Sequence, residues 1–239
     1  MMNFLCIVPI FNEELKLKKL MKKILQAKKT INNLDFLIIN NGSTDNSEAI
    51  IKKSNLNYIS LKKNYGVGYA LILGLKKAIN FKYTHVVHLA GNGKMNPLEI
   101  KSFIKKIKNE KYQFVSGSRF LRKKDRKNNP IQRIIMIWML SKFISLIYSK
   151  RITDATCGFR MFEVKLFKKN IKYFDQNSFY TYKYEYYSIG KILLKKNVKF
   201  IEIPVSMNYT KKNYSKIRPI LDWIPIFNGW LEARIDAFK

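Results

Sequence analysis

The sequence predicts an α/β fold, a mostly parallel sheet with helices on both faces. Short apolar runs alternate with segments of helical spacing through the first half, in units about 25 to 30 residues long. Gly and Asn break the chain after several of these runs, where ligands sit in open α/β sheets. The chain has 239 residues and is 47% apolar, enough for one domain with a real core and too apolar for a disordered chain.

Phe4 to Ile10 is a buried first strand. Asn12 can cap a helix from Glu13, in which Leu17, Leu20, Met21, Ile24 and Leu25 recur on one face with lysines opposite. Asp35 to Asn41 is the second strand. After the Gly42 to Asp45 turn, Asp45 and Glu48 have the spacing of a capping box. Tyr58 to Leu61 is a short third strand, and Asn64 to Ala70 opens a helix reaching about Ile79. Thr84 to Leu89 is the next strand. Ala90-Gly91-Asn92-Gly93 breaks it, and Asn96-Pro97 starts a helix to about Lys108. We take this small, uncharged bend as the floor of a site on which the other motifs converge. Gln113 to Ser116 is a fifth strand, ending in Gly117-Ser118-Arg119.

The second half changes character. Leu121 to Pro130 is basic and polar. Ile131 to Tyr148 reads as an apolar helix with a narrow polar stripe at Ser141, Lys142, Ser145 and Ser149. Lys142 argues against a membrane span, and so wide an apolar arc suits the core or a membrane interface. Asp154 to Arg160 is a Gly-containing turn, Tyr180 to Leu194 an aromatic-rich helix, and Val198 to Val205 a strand. Tyr209 to Arg218 is a basic loop. The tail from Ile220 to Phe238 carries Trp223, Phe227 and Trp230, and Pro225 is expected to interrupt any helix there.

The net charge is +30, which permits attraction to nucleic acid, acidic membrane or phosphorylated substrates. The lysines are spread along the chain with no zinc-finger or RNA-binding signature, so no specific nucleic-acid partner is expected. Cys6 and Cys157 lie far apart and read as core thiols in a reducing compartment. Phe4 to Ile10 is short for a signal peptide and lacks a preceding basic segment. His85 and His88, three apart on a strand, face opposite ways and read as packing or surface residues.

Several motifs together resemble one family. Val8-Pro-Ile-Phe-Asn-Glu-Glu14 looks like the opening nucleotide-binding motif of family-2 glycosyltransferases with the GT-A fold. Asn40-Asn-Gly-Ser-Thr-Asp45 and Asn64-Tyr-Gly-Val-Gly-Tyr-Ala70 resemble its next two motifs. Ala90-Gly-Asn-Gly-Lys-Met-Asn-Pro97 stands where its Asp-x-Asp metal motif would be. Ser116-Gly-Ser-Arg-Phe120, Asp154-Ala-Thr-Cys-Gly-Phe-Arg160 and Tyr214-Ser-Lys216 resemble the polyprenyl-phosphate branch, typified by dolichyl-phosphate mannosyltransferase.

The resemblance implies a GT-A, Rossmann-like domain over residues 1–210, with 131–148 an interfacial helix within it. Residues 211–239 would be a basic loop and an amphipathic, membrane-facing tail. It implies a nucleotide sugar held by Pro9, Asn12, Glu14, Asn41, Gly91 and Asn92. The acceptor would be a polyprenyl phosphate received by Arg119, Arg133, Arg160 and Lys216, with Asp154 beside the sugar. A phosphate oxygen is already anionic, so no strong general base is obligatory. The enzyme would sit on the cytoplasmic face of an anionic membrane, alone, as a homo-oligomer or with a membrane partner.

Asn40, Asn41 and Asn92 replace the family's usual acids. Asn92 can ligate Mg or Mn through its carbonyl but brings no charge. Lys94 could supply charge instead: one cation ~4 Å from a phosphate at an effective dielectric near 20 is worth on the order of 4 kcal/mol before desolvation. Asn41 both donates and accepts, which leaves the base preference open. Two alternatives stand beside this reading. One is a family-2 enzyme with a saccharide acceptor and Asp154 as base; the other is a non-catalytic relative serving as a binding subunit.

Overall fold

The computed structural model describes residues 1–126, 130–169, 171–207 and 223–236. Its sheet has seven strands: β1 (Phe4–Ile10), β2 (Leu34–Asn40), β3 (Asn57–Ser60), β4 (His85–His88), β5 (Phe114–Ser118), β6 (Arg160–Glu163) and β7 (Phe200–Pro204). They lie in the order β3-β2-β1-β4-β6-β5-β7. The pairs β1–β2, β1–β4, β2–β3 and β5–β7 are parallel, while β6 runs antiparallel to β4 and β5. Sequence patterning missed β6. It is four residues long, begins with Arg160 and ends with Glu163, so it carries no extended apolar run.

The central strands are buried on both faces, which is why they read as continuous apolar runs. Leu5, Ile7, Leu37 and Ile39 point into one core, and Phe4, Cys6, Val8, Ile10, Phe36 and Ile38 into the other. Helices α3 (Val67–Asn80), α5 (Ile131–Tyr148), α7 (Lys183–Leu193) and α8 (Trp223–Ile235) contribute to the first core. Helices α1 (Glu14–Thr30), α2 (Ser47–Lys52) and α4 (Ile100–Glu110) contribute to the second. A short helix, α6 (Lys165–Lys168), follows β6. His85 packs on Phe4 in the second core and His88 on Phe162 in the first, on opposite faces as the spacing predicts. Both cysteines are buried thiols.

Three local expectations are corrected. Asn12 does not cap α1: its φ is +51°, its side chain bonds Thr44, and Glu13 takes the cap position. Asp45 and Glu48 form no capping box. Asp45 accepts from the amides of Ser47 and Glu14, while Glu48 pairs with Lys52. Pro225 does not interrupt the tail helix; it lies in the first turn of α8, where its missing N–H would have no helical partner anyway.

Two residues of the polar stripe of α5, Ser141 and Ser145, face inward, while Lys142 and Ser149 are exposed. Ser141 Oγ accepts from the Ala155 amide at 3.0 Å, and Ser145 Oγ from the Ile152 amide at 3.0 Å. The opposite face presents Ile131, Ile135, Trp138 (55% exposed), Met139 and Leu146 (79% exposed) outward. Phe143, also exposed, stacks on Phe227 of α8 at 5.5 Å. Trp230 belongs instead to the core, 2% exposed, and its carbonyl accepts from Tyr148 Oη at 2.6 Å. Of the tail aromatics, Phe227 is thus on the outside and Trp230 on the inside of α8.

Candidate active site

A cavity of about 710 Å³ opens where the carboxyl ends of β1, β2 and β4 meet. Pro9, Asn41, Gly91, Asn92, Lys94, Arg119 and Arg133 all line it, so residues far apart in sequence share one space. At one end, Asn41 donates to Asn64 Oδ1 at 2.9 Å and accepts from the Tyr65 amide at 3.1 Å. Gly66 follows with φ +96°, and a Cβ there would collide with the Tyr180 carbonyl. This close approach brings Thr181 and Tyr182 to the cavity wall.

The loop after β4 forms the floor. A Cβ at Gly91 would run into the Pro9 carbonyl and Ile10, so glycine lets this loop press against β1. Asn92 Oδ1 accepts from the Lys94 amide at 3.1 Å, closing an Asx turn in which Gly93 takes φ +69°. Lys94 is 5% exposed. Burial pushes its ammonium down to about 8, helped by the charges of Arg133, Lys16 and Arg119 and opposed by Glu13.

Arg119, just past β5, is held by Asp154. Its Nε and Nη2 donate to the two carboxylate oxygens at 2.6 Å each, and its backbone amide adds a bond at 3.1 Å. Nη2 also reaches Thr156 Oγ1 at 2.6 Å. Burial raises the Asp154 pKa, but Arg119's charge and hydrogen bonds outweigh that and hold it below the usual value. Glu202 of β7 fixes the same loop by accepting from the amides of Thr153 and Asp154. Arg160 donates to Glu185 at 2.9 Å and lies over the Tyr186 ring. Burial, with Arg160's charge added, pushes His88 down to about 3, so the imidazole is neutral.

Four residues implied by the resemblance stand apart from the cavity lining. Asn12 and Glu14 tie α1 to the 44–46 loop; Glu14 accepts from the Asn46 amide at 2.9 Å. Asp154 and Arg160 lie behind the wall, paired with Arg119 and Glu185. Lys216 falls outside the described residues. Sequence reasoning missed Glu13, Lys16, His88 and Glu185, which do line the cavity. Adjacent acids at a helix start carry no signal for which one turns inward, and the other three sit among ordinary core or surface patterns.

The order of the sheet thus sets a cation-rich cleft across its carboxyl edge. Residues 5–171 match the model of glycosyl transferase family 2, and the chain belongs to that family. An uncharacterized protein of Methanocaldococcus jannaschii is 30% identical over 226 residues, covering 89% of this chain and 91% of its own. The UDP-N-acetylglucosamine–dolichyl-phosphate N-acetylglucosaminyltransferase of Methanococcus voltae is 28% identical, covering 92% of both chains. Among solved structures, glucosyl-3-phosphoglycerate synthase of Mycobacterium tuberculosis, in complex with Mn2+, UDP and glucosyl-3-phosphoglycerate, superimposes with a TM-score of 0.67. It is 13% identical and is matched over 98% of this chain and 79% of that one.

That structure holds Mn2+, and the side chains of this cavity can be tested against such an ion. Among the described residues no group of three or more His, Cys, Asp or Glu could hold a metal ion. Asn92 offers a neutral carbonyl; of the two lining carboxylates, Glu185 is held by Arg160 and Glu13 stands beside Lys16, with Lys94, Arg119 and Arg133 on the same walls. A hard dication takes oxygen ligands and is repelled by surrounding cations. This donor set does not fit it.

Proposed function

We propose that the enzyme moves a sugar from a nucleotide sugar to a polyprenyl phosphate at the cytoplasmic face of a membrane. One observation carries the reading. Arg133 lines the cavity and belongs to α5, the helix whose outer face is apolar. A lipid phosphate arriving along that face meets Arg133 and then Arg119. The resemblance to the Methanococcus voltae enzyme supports the same acceptor class.

A phosphate oxygen of the acceptor attacks the anomeric carbon of the donor sugar. The bond to the diphosphate breaks, and the nucleoside diphosphate leaves with its electron pair. Pro9, Asn41, Gly91 and Asn92 hold the nucleotide end, and Lys94 faces the diphosphate. Arg119 and Arg133 bind the acceptor through planar guanidinium donors. Asp154 is a positioning residue: both oxygens are engaged by Arg119, so it fixes the guanidinium rather than acting as a base. That also weighs against a saccharide acceptor, which would need a base. Arg160 acts at one remove, by orienting Glu185.

The exposed apolar faces of α5 and α8 would lie in the interface, with Lys142, Lys150 and Arg151 at the headgroups. Each well-placed cation adds about 1 kcal/mol on anionic lipid. The test is incubation with labelled nucleotide sugars and vesicles carrying a polyprenyl phosphate, scored for lipid-linked sugar. Lipid-linked product is expected. Transfer to soluble saccharides with none to lipid phosphate would overturn the proposal.

A further inference from the structure

Resting on that reading of the cavity, we infer that the nucleoside diphosphate is held by side-chain cations in place of a divalent metal. Binding and transfer then survive chelation. The observation is the disagreement between fold and donor set. The loop that forms the floor presents Asn92 and Lys94, with a neutral amide and an ammonium in place of acids. Lys16, from the first turn of α1, approaches the same space and sits 3.9 Å from Glu13. Arg133 enters from α5.

The charges are consistent with this. Among the described residues the lining carries four cations, Lys16, Lys94, Arg119 and Arg133, against two carboxylates, Glu13 and Glu185; behind it Asp154 pairs with Arg119 and Arg160 with Glu185. A diphosphate carries negative charge of comparable size. A dication held by two carboxylates presents almost no net charge, so a cationic wall is no weaker an attractor. The amides that lead into α1 are engaged within the protein. Those of Asn12, Glu13 and Glu14 already donate to Ser43, Ser47 and Asp45.

The experiment is calorimetric titration of the full chain with UDP, GDP, ADP and CDP, in EDTA and again in excess Mg2+ or Mn2+. The best-bound nucleotide is expected to show the same affinity within about threefold in both, and to weaken as salt rises. Lys94→Met is expected to lower that affinity at least tenfold in EDTA. Lys94 is buried and its variant can misfold, so Lys16→Ala, on a partly exposed side chain, serves as the second variant, with an expected loss of about threefold or more. The double variant Asn92→Asp/Lys94→Gln is expected to bind only with metal present. Binding by the parent protein that vanishes in EDTA and returns with Mg2+ or Mn2+ would overturn the inference while leaving the transferase reading intact. Failure of every nucleotide in both conditions would overturn both.

Discussion

The pair of Arg119 and Asp154 gives the sharpest test of how this site is held together. Their side chains are 2% and 0% exposed. Replacing Asp154 by Leu removes both oxygens that receive Nε and Nη2, and leaves a buried guanidinium without its countercharge. Breaking a buried pair from one side costs about 3–5 kcal/mol, a large share of the roughly 5–15 kcal/mol that stabilises a domain. At ~2–4 °C per kcal/mol for a chain of this size, Tm should fall by roughly 6–20 °C. Removing both charges is different. Arg119→Met with Asp154→Leu leaves no uncompensated ion, and its stability should return to within about 1–2 kcal/mol of the parent. Urea denaturation of the two single variants and the double variant measures the coupling. Either of two results would refute the reasoning: Asp154→Leu as stable as the parent, or the double variant no more stable than Asp154→Leu. Transfer activity should be lost in all three, which separates the role in folding from the role in binding phosphate.

The same pair sets a pH dependence. The folded Asp154 pKa lies below its ordinary value, so the stabilisation is complete above about pH 4 and is lost as pH falls through the folded pKa. The difference between the parent and Asp154→Leu should therefore be flat from pH 5 to 8 and shrink only in acid; a change within the neutral range would contradict the assignment. On the outer face of α5, Trp138→Ser with Leu146→Glu should change folding stability by less than about 1 kcal/mol, since both residues are exposed. It should weaken sedimentation with acidic vesicles at least tenfold, each lost apolar side chain being worth about 1.5–3 kcal/mol; unchanged vesicle binding would place the membrane contact elsewhere. Ser141→Ala strips the Ala155 amide of its acceptor inside the protein and should cost about 1–3 kcal/mol in urea denaturation. A cost near zero would mean that the serine stripe does not anchor the helix.

Much of this protein was determined by local chemistry. Strands buried on both faces must be apolar throughout, so β1, β2 and the run through β4 announced themselves as the middle of a parallel sheet. Gly91, Asn92-Gly93 and Asn96-Pro97 marked the bend, because glycine, asparagine and proline suit turns and helix starts. The lysine at 94 and the missing acids at 41 and 92 were equally plain, and with them the question of metal.

What the linear pattern could not decide was direction and meeting. Glu13 and Glu14 are neighbours, yet one lines the cavity and the other ties down a loop, because successive residues at a helix start point about 100° apart and Glu14 is the one turned to the Asn46 amide. The serines of α5 formed a visible stripe, but only the packing of residues 152–155 beneath it turned Ser141 and Ser145 inward and the apolar side outward. Asp154 read as a group beside the substrate; the structure shows it buried and paired with Arg119, a partner 35 residues away that no local pattern names. Lys16, Lys94, Arg119 and Arg133 come from four separate segments. Like charges do not seek one another, so no local preference assembles them. The crossovers of the sheet do, by bringing strand ends and a helix start to one edge.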